Sequence, residues 1–186
     1  MKPLPAIVVA ALAGLCSPAA AAVTTIDDTS AAMCAKAASL GLADDDSLRF
    51  CSQAIEQGAL SRHDLVATLV NRGAVAMNRH DYAAARADFD RAIQMEPTAG
   101  EAWMDRGAIA VIEHRYRDGV TDLTRAIELG VADPAKAYFN RAVADEGVND
   151  EQSAYIDYQE AMVLKPGWDL PKRELLRFTV TRKANG

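Results

Sequence analysis

The chain is poor in several residue types at once. Its 186 residues hold three cysteines, three histidines, two tryptophans and only 6% aromatics. The histidines, His63, His80 and His114, are scattered and form no metal-spaced set with cysteine. H-E-x-x-H, a Gly-rich phosphate loop and G-x-S-x-G are all missing. Nothing brings together a nucleophile, a base and an oxyanion hole. No catalytic residue, metal or cofactor is therefore expected, and the chain does not read as an enzyme. Positive charge is also short, with 20 Lys and Arg against 26 Asp and Glu and a net charge of −6. That balance argues against a nucleic-acid partner, which calls for a basic stripe.

Long apolar runs are few as well. One, "AIVVAALAGLC" from Ala6 to Cys16, follows the positive Lys2 and precedes a run of small residues ending in Ala20-Ala21-Ala22. It is too short for the about 20 residues of a membrane span and has the flanks of a secretory signal peptide covering residues 1–22. Leu15 stands before Cys16, where a lipoprotein signal calls for a small residue, so lipidation is not expected. Cleavage after Ala22 leaves 164 residues, the size of one domain, and removing Lys2 takes the net charge from −6 to −7. The mature chain contains no transmembrane run, and its expected location is the periplasm of a bacterial cell envelope.

In that oxidising compartment Cys34 and Cys51 are candidates for a disulfide. Closing a loop of this length stabilises a fold by about 3 kcal/mol in the chain-entropy model. The spacing is not C-x-x-C, and no other Cys or His stands close enough to complete a metal site.

What the chain has in plenty is self-similarity. Gly73, Gly107 and Ala142 each follow an arginine, Arg72, Arg106 and Arg141, at steps of 34 and 35. In this register Leu69, Trp103 and Tyr138 precede the arginines by three, while Ala85, Gly119 and Ala154 form a small-residue column. Phe89, Leu123 and Tyr158 form a large one, followed by Ala92, Ala126 and Ala161. Pro97, Pro134 and Pro166 close the units. Each unit reads as two antiparallel helices, with small residues setting the close approach and large ones filling beside it.

This pattern resembles the tetratricopeptide repeat family, chiefly in the Trp103-Gly107 pair, "DYAAARADF" and "AIQMEP". The expected architecture is an all-α superhelical solenoid of antiparallel helix pairs. Residues 66–99, 100–133 and 135–168 are its three repeats. A degenerate pair at 23–65 comes before them, placing Cys34 in the column of Arg72 and Cys51 in that of Phe89. A capping helix and frayed tail at 169–186 follow, with Asp169 as N-cap and Pro171 in the first turn. Leu175, Leu176, Phe178 and Val180 are its expected apolar side, and Lys172, Arg173 and Arg177 its wet one.

The arginines replace the family's usual leucine, and each is followed 16 residues later by an aspartate: Asp88, Asp122 and Asp157. An unpaired buried charge is costly, so structural Arg–Asp pairing is preferred over an anion-binding row. Asp90 and Arg91 read as solvated. The resemblance further implies a concave groove lined by the first helices. Its columns are Val70, Ala74 and Met77, then Met104, Ala108 and Val111, then Phe139, Val143 and Glu146. Members that grip a C-terminal carboxylate carry lysine and asparagine there, and this chain does not. An apolar groove fits an amphipathic helix or extended peptide. The same residues also fit inter-repeat packing, or a groove filled by the last helix. The expected function is protein–protein binding, as an adaptor or assembly factor, with a self-associating structural protein as the alternative.

Overall fold

The computed structural model describes residues 29–178. The signal-peptide reading of residues 1–22 and the place given to Val180 lie outside the described residues. Every regular element among the described residues is a helix. These are α1 (Ser30–Ser39), α2 (Asp45–Glu56), α3 (Arg62–Asn78), α4 (Tyr82–Met95), α5 (Gly100–Ile112), α6 (Tyr116–Leu129), α7 (Pro134–Gly147), α8 (Glu151–Leu164) and α9 (Asp169–Leu175). None of them is long and apolar enough to cross a membrane.

The starts are set locally. Thr29, Asp44, Ser61, Asp81, Asp133 and Asp150 each accept a hydrogen bond from a backbone N–H of the first turn they precede. Pro134 opens α7 as a first-turn residue rather than closing the unit before it. The tight turn inside each repeat has one left-handed residue, His80 (φ 63°), His114 (φ 60°) or Asn149 (φ 66°). Asparagine tolerates that region best. The two histidines are held there by a ring nitrogen 2.9 Å and 2.6 Å from the hydroxyls of Tyr82 and Tyr116.

Helices α3/α4, α5/α6 and α7/α8 pair tightly, and α1/α2 forms a shorter pair ahead of them. Each second helix packs on the first helix of the next pair, and α1, α3, α5 and α7 also touch in succession. Close approach explains the small columns. A Cβ on Gly73 would lie 2.5 Å from the Phe89 ring, and one on Gly107 would lie 2.8 Å from Leu123. In the first pair the sulfurs of Cys34 and Cys51 are at bonding distance, both fully buried against Ala74 and Val75 of α3.

The C-terminal cap differs from expectation. Its helix begins at Asp169, with Trp168 as N-cap, and ends at Leu175. Leu176 is 80% exposed, whereas Glu174 is buried. Arg177, expected to face water, binds both Glu174 and Glu146, and Glu146 also accepts from the Tyr158 hydroxyl at 2.7 Å. This polar knot, together with the Phe139–Trp168 ring contact at 4.8 Å, ties the cap to the last repeat. The cap packs on α8, while Trp168 and Arg177 at its two ends reach Phe139 and Glu146 of α7.

Candidate functional site

The three arginines adopt one geometry. Nε and Nη2 of each donate to both carboxylate oxygens of the aspartate sixteen residues on. The distances are 2.8 and 2.7 Å for Arg72–Asp88, 2.7 and 2.7 Å for Arg106–Asp122, and 2.6 and 2.9 Å for Arg141–Asp157. Such forked contacts are the strong kind of charged hydrogen bond. Nη1 reaches back to the second helix of the preceding pair. It donates to Ser52 at 3.3 Å, to Asp90 at 2.7 Å and to Thr124 at 3.2 Å respectively. Each arginine thus joins its own pair to the one before.

Asp90 is therefore an ion-pair partner and not simply solvated, as the sequence had suggested. Its role was legible in register, since Ser52, Asp90 and Thr124 occupy one repeat column. The Arg106 and Arg141 guanidiniums also lie over the rings of Trp103 and Tyr138, at 4.7 and 5.4 Å. Hydrogen bonding to the aspartates raises all three arginine pKa values further, against the opposing effect of burial. The guanidiniums are engaged with carboxylates rather than presented as a row of free cations.

The groove columns need correction. Val70, Ala74, Met77, Met104, Ala108, Val111, Phe139 and Val143 are only 0–3% exposed. Met104, Val111, Phe139 and Val143 belong to one packed cluster, Val70, Met77 and Ala108 to a second, and Ala74 to a third. They line no open apolar channel. Small residues such as Ala74 and Ala108 leave room for close packing along this row, and the larger side chains interlock beside them. Glu146, the last residue of those columns, is instead committed to Tyr158 and Arg177.

One feature of this buried row stands apart. Asn71 and Asn140, the residues just before Arg72 and Arg141, are 1% and 2% exposed. Neither side-chain atom of the Asn71 amide has a hydrogen-bond partner among the described residues, nor does Oδ1 of Asn140. Asp105, equally buried, holds the same place in the middle repeat.

Elsewhere ion pairs join both neighbouring and distant residues. His63 lies 3.4 Å from Glu96, and Arg115 binds Glu113 and Asp118. Among the described residues no three His, Cys, Asp or Glu side chains gather to hold a metal ion.

No family model matches the chain, and no curated protein is similar to it. Solved structures are. One, "MamA RS-1 ArsTM double mutant", has a TM-score of 0.65 at 20% identity, over 81% of this chain and 83% of its own. Another, "MamA 41-end from Desulfovibrio magneticus RS-1", has a TM-score of 0.64 at 20% identity, over 81% and 84%. These are helical, tetratricopeptide-like solenoids. So is this chain's fold. At this identity the likeness speaks for architecture.

Proposed function

We infer that the chain is a protein-interaction module, an adaptor or assembly factor exported to a bacterial periplasm, that takes a peptide or helix along its first helices. The observation that carries this reading is the pair of asparagines. A buried amide without a partner costs about 1–3 kcal/mol, and buried polar groups in native proteins are nearly always satisfied. Leaving the Asn71 amide and the Oδ1 of Asn140 unpaired at equivalent repeat positions makes sense if a partner satisfies them. In a solenoid each unit contacts only its neighbours, so the row between α3, α5 and α7 can open by small rotations. Met77, Met104, Val111, Phe139 and Val143 then become an apolar lining beside the asparagine amides, with methionine adapting to the guest.

Replacing both asparagines by leucine, which has similar volume and no polar group, tests this. The double variant Asn71→Leu, Asn140→Leu is expected to melt higher than the parent and to lose cross-linking to a partner in envelope extracts. A lower melting temperature with undiminished cross-linking overturns the proposal. Export rests on the Lys2-to-Ala22 sequence and on the cysteine pair, which an oxidising compartment would close. N-terminal sequencing of the periplasmic product is expected to begin at Val23, and an uncleaved cytoplasmic product contradicts it.

A further inference from the structure

The outer face of α8 is unlike that of its sister helices. Ile156 is 54% exposed and Val163 is 66% exposed. The equivalent positions hold Ala87 and Thr121 in place of Ile156, and Gln94 and Glu128 in place of Val163. These four are exposed too, so all three second helices turn this face to solvent, and only the last makes it apolar. On α8 the exposed residues Gln152, Ile156, Gln159 and Val163 follow one another at steps of four, three and four. That spacing draws a single straight seam along a helix, with β-branched residues alternating with glutamine. Scattered exposed apolar residues are ordinary, but an ordered seam absent from two internal copies of the same helix is not.

We propose that α8 is a homodimerisation seam, meeting α8 of a second copy in antiparallel, two-fold symmetry. Charge favours this occupant and this direction. Glu151 opens the helix and Lys165 follows its last turn, with about half of its side chain exposed beside Asp133. When Ile156 of one copy faces Val163 of the other, each Glu151 comes within a turn of the partner copy's Lys165. The helix dipoles oppose, which is also favourable. Gln159 falls next to the two-fold axis, where paired amides fix register at some cost in strength, as a polar residue does in a coiled-coil seam. The contact is isologous and closes at two copies, so it yields a dimer and not a filament.

One helix seam buries less than the roughly 1,200–2,000 Å² of stable complexes, so the dimer dissociates on dilution.

Sedimentation velocity of the full chain over a hundredfold concentration range tests the seam. The parent is expected to shift from monomer to dimer, and Ile156→Thr with Val163→Glu to weaken association at least about tenfold. Because both side chains are exposed and the sister repeats carry such residues, the melting temperature of the variant should match the parent. A parent that stays monomeric at the highest concentration overturns the proposal, as does a variant that dimerises equally well. Orientation is read by cysteine cross-linking above the parent's background. Gln159→Cys is expected to join two copies and Gln152→Cys is not. Cross-linking through Gln152→Cys overturns the antiparallel order.

Discussion

Arg106 and Asp122 are joined by two parallel hydrogen bonds of 2.7 Å, from Nε and Nη2 of a residue on α5 to both oxygens of one on α6. The remaining Nη1 holds Asp90 of α4, so one side chain fixes three helices from two repeats. At this column each repeat of the chain uses a charged fork in place of an apolar side chain. Geometry is more specific in a fork than in an apolar contact, because both its direction and its plane must match. The arginine column is thus a register device, setting each pair against the one before it.

Breaking one fork should show this. Arg106→Met leaves Asp122 nearly buried without its cation and is expected to cost about 2–4 kcal/mol, near the lower end for buried pairs because Arg106 keeps some exposure. Adding Asp122→Leu removes the orphaned carboxylate and should recover much of that loss, since apolar replacements of a whole pair are often close to neutral. Urea titrations of the two single variants and the double variant check it. Equal, additive losses would mean that the two residues act independently.

The fold was legible because repeat columns of small residues mark where helices touch, and their spacing of 34 and 35 survives substitutions. The fork was legible for a related reason: charge recurred in register. The character of the first-helix row was not. Periodicity shows that Val70, Met104 and Phe139 share a face, but not how near the next helix comes. With Ala74 and Ala108 on that row, the helices close up and bury it. The cap was misread at Arg177, which looks solvent-loving, while its partner Glu146 lies some 30 residues earlier in the chain. Asn71 stood in plain view beside Arg72, yet its want of a partner is a fact of packing.

The first helix pair should depend on its cysteines. Between α1 and α2 the buried side chains are mostly alanine, with Cys34 and Cys51 at the centre. A crosslink across this loop is worth about 3 kcal/mol. Reduction, or Cys34→Ala with Cys51→Ala, is expected to release this pair before the repeats melt. Hydrogen exchange should then speed up in residues 30–56 and stay slow in α5 to α8. Unchanged protection over α1 and α2 would show that packing on α3 suffices.

Asp145 gives the last repeat a pH dependence that the other two lack. The equivalent residues are Ala76 and Ala110, and Asp145 is itself buried. Burial, with help from nearby Asp157 and Asp150 and against the attraction of Arg141, raises its pKa from the usual 3.8 to about 6. Between those values the folded chain holds a proton that the unfolded chain gives up. Stability from this group therefore grows as pH falls from 7 towards 4 and is lost as pH rises through 6, by up to about 3 kcal/mol. Asp44 and Asp150 work the other way. Hydrogen bonds from Ser47 and Ser153 lower their pKa values, so what they contribute is lost at more acid pH. Melting temperature is thus expected to peak near pH 4–5. Asp145→Ala restores the residue of the sister repeats and should raise the melting temperature at pH 7 while flattening the rise between pH 7 and 5. A parent whose stability falls steadily from pH 7 to 5, or a variant that melts lower at pH 7, would show that this carboxylate is not strained in the fold.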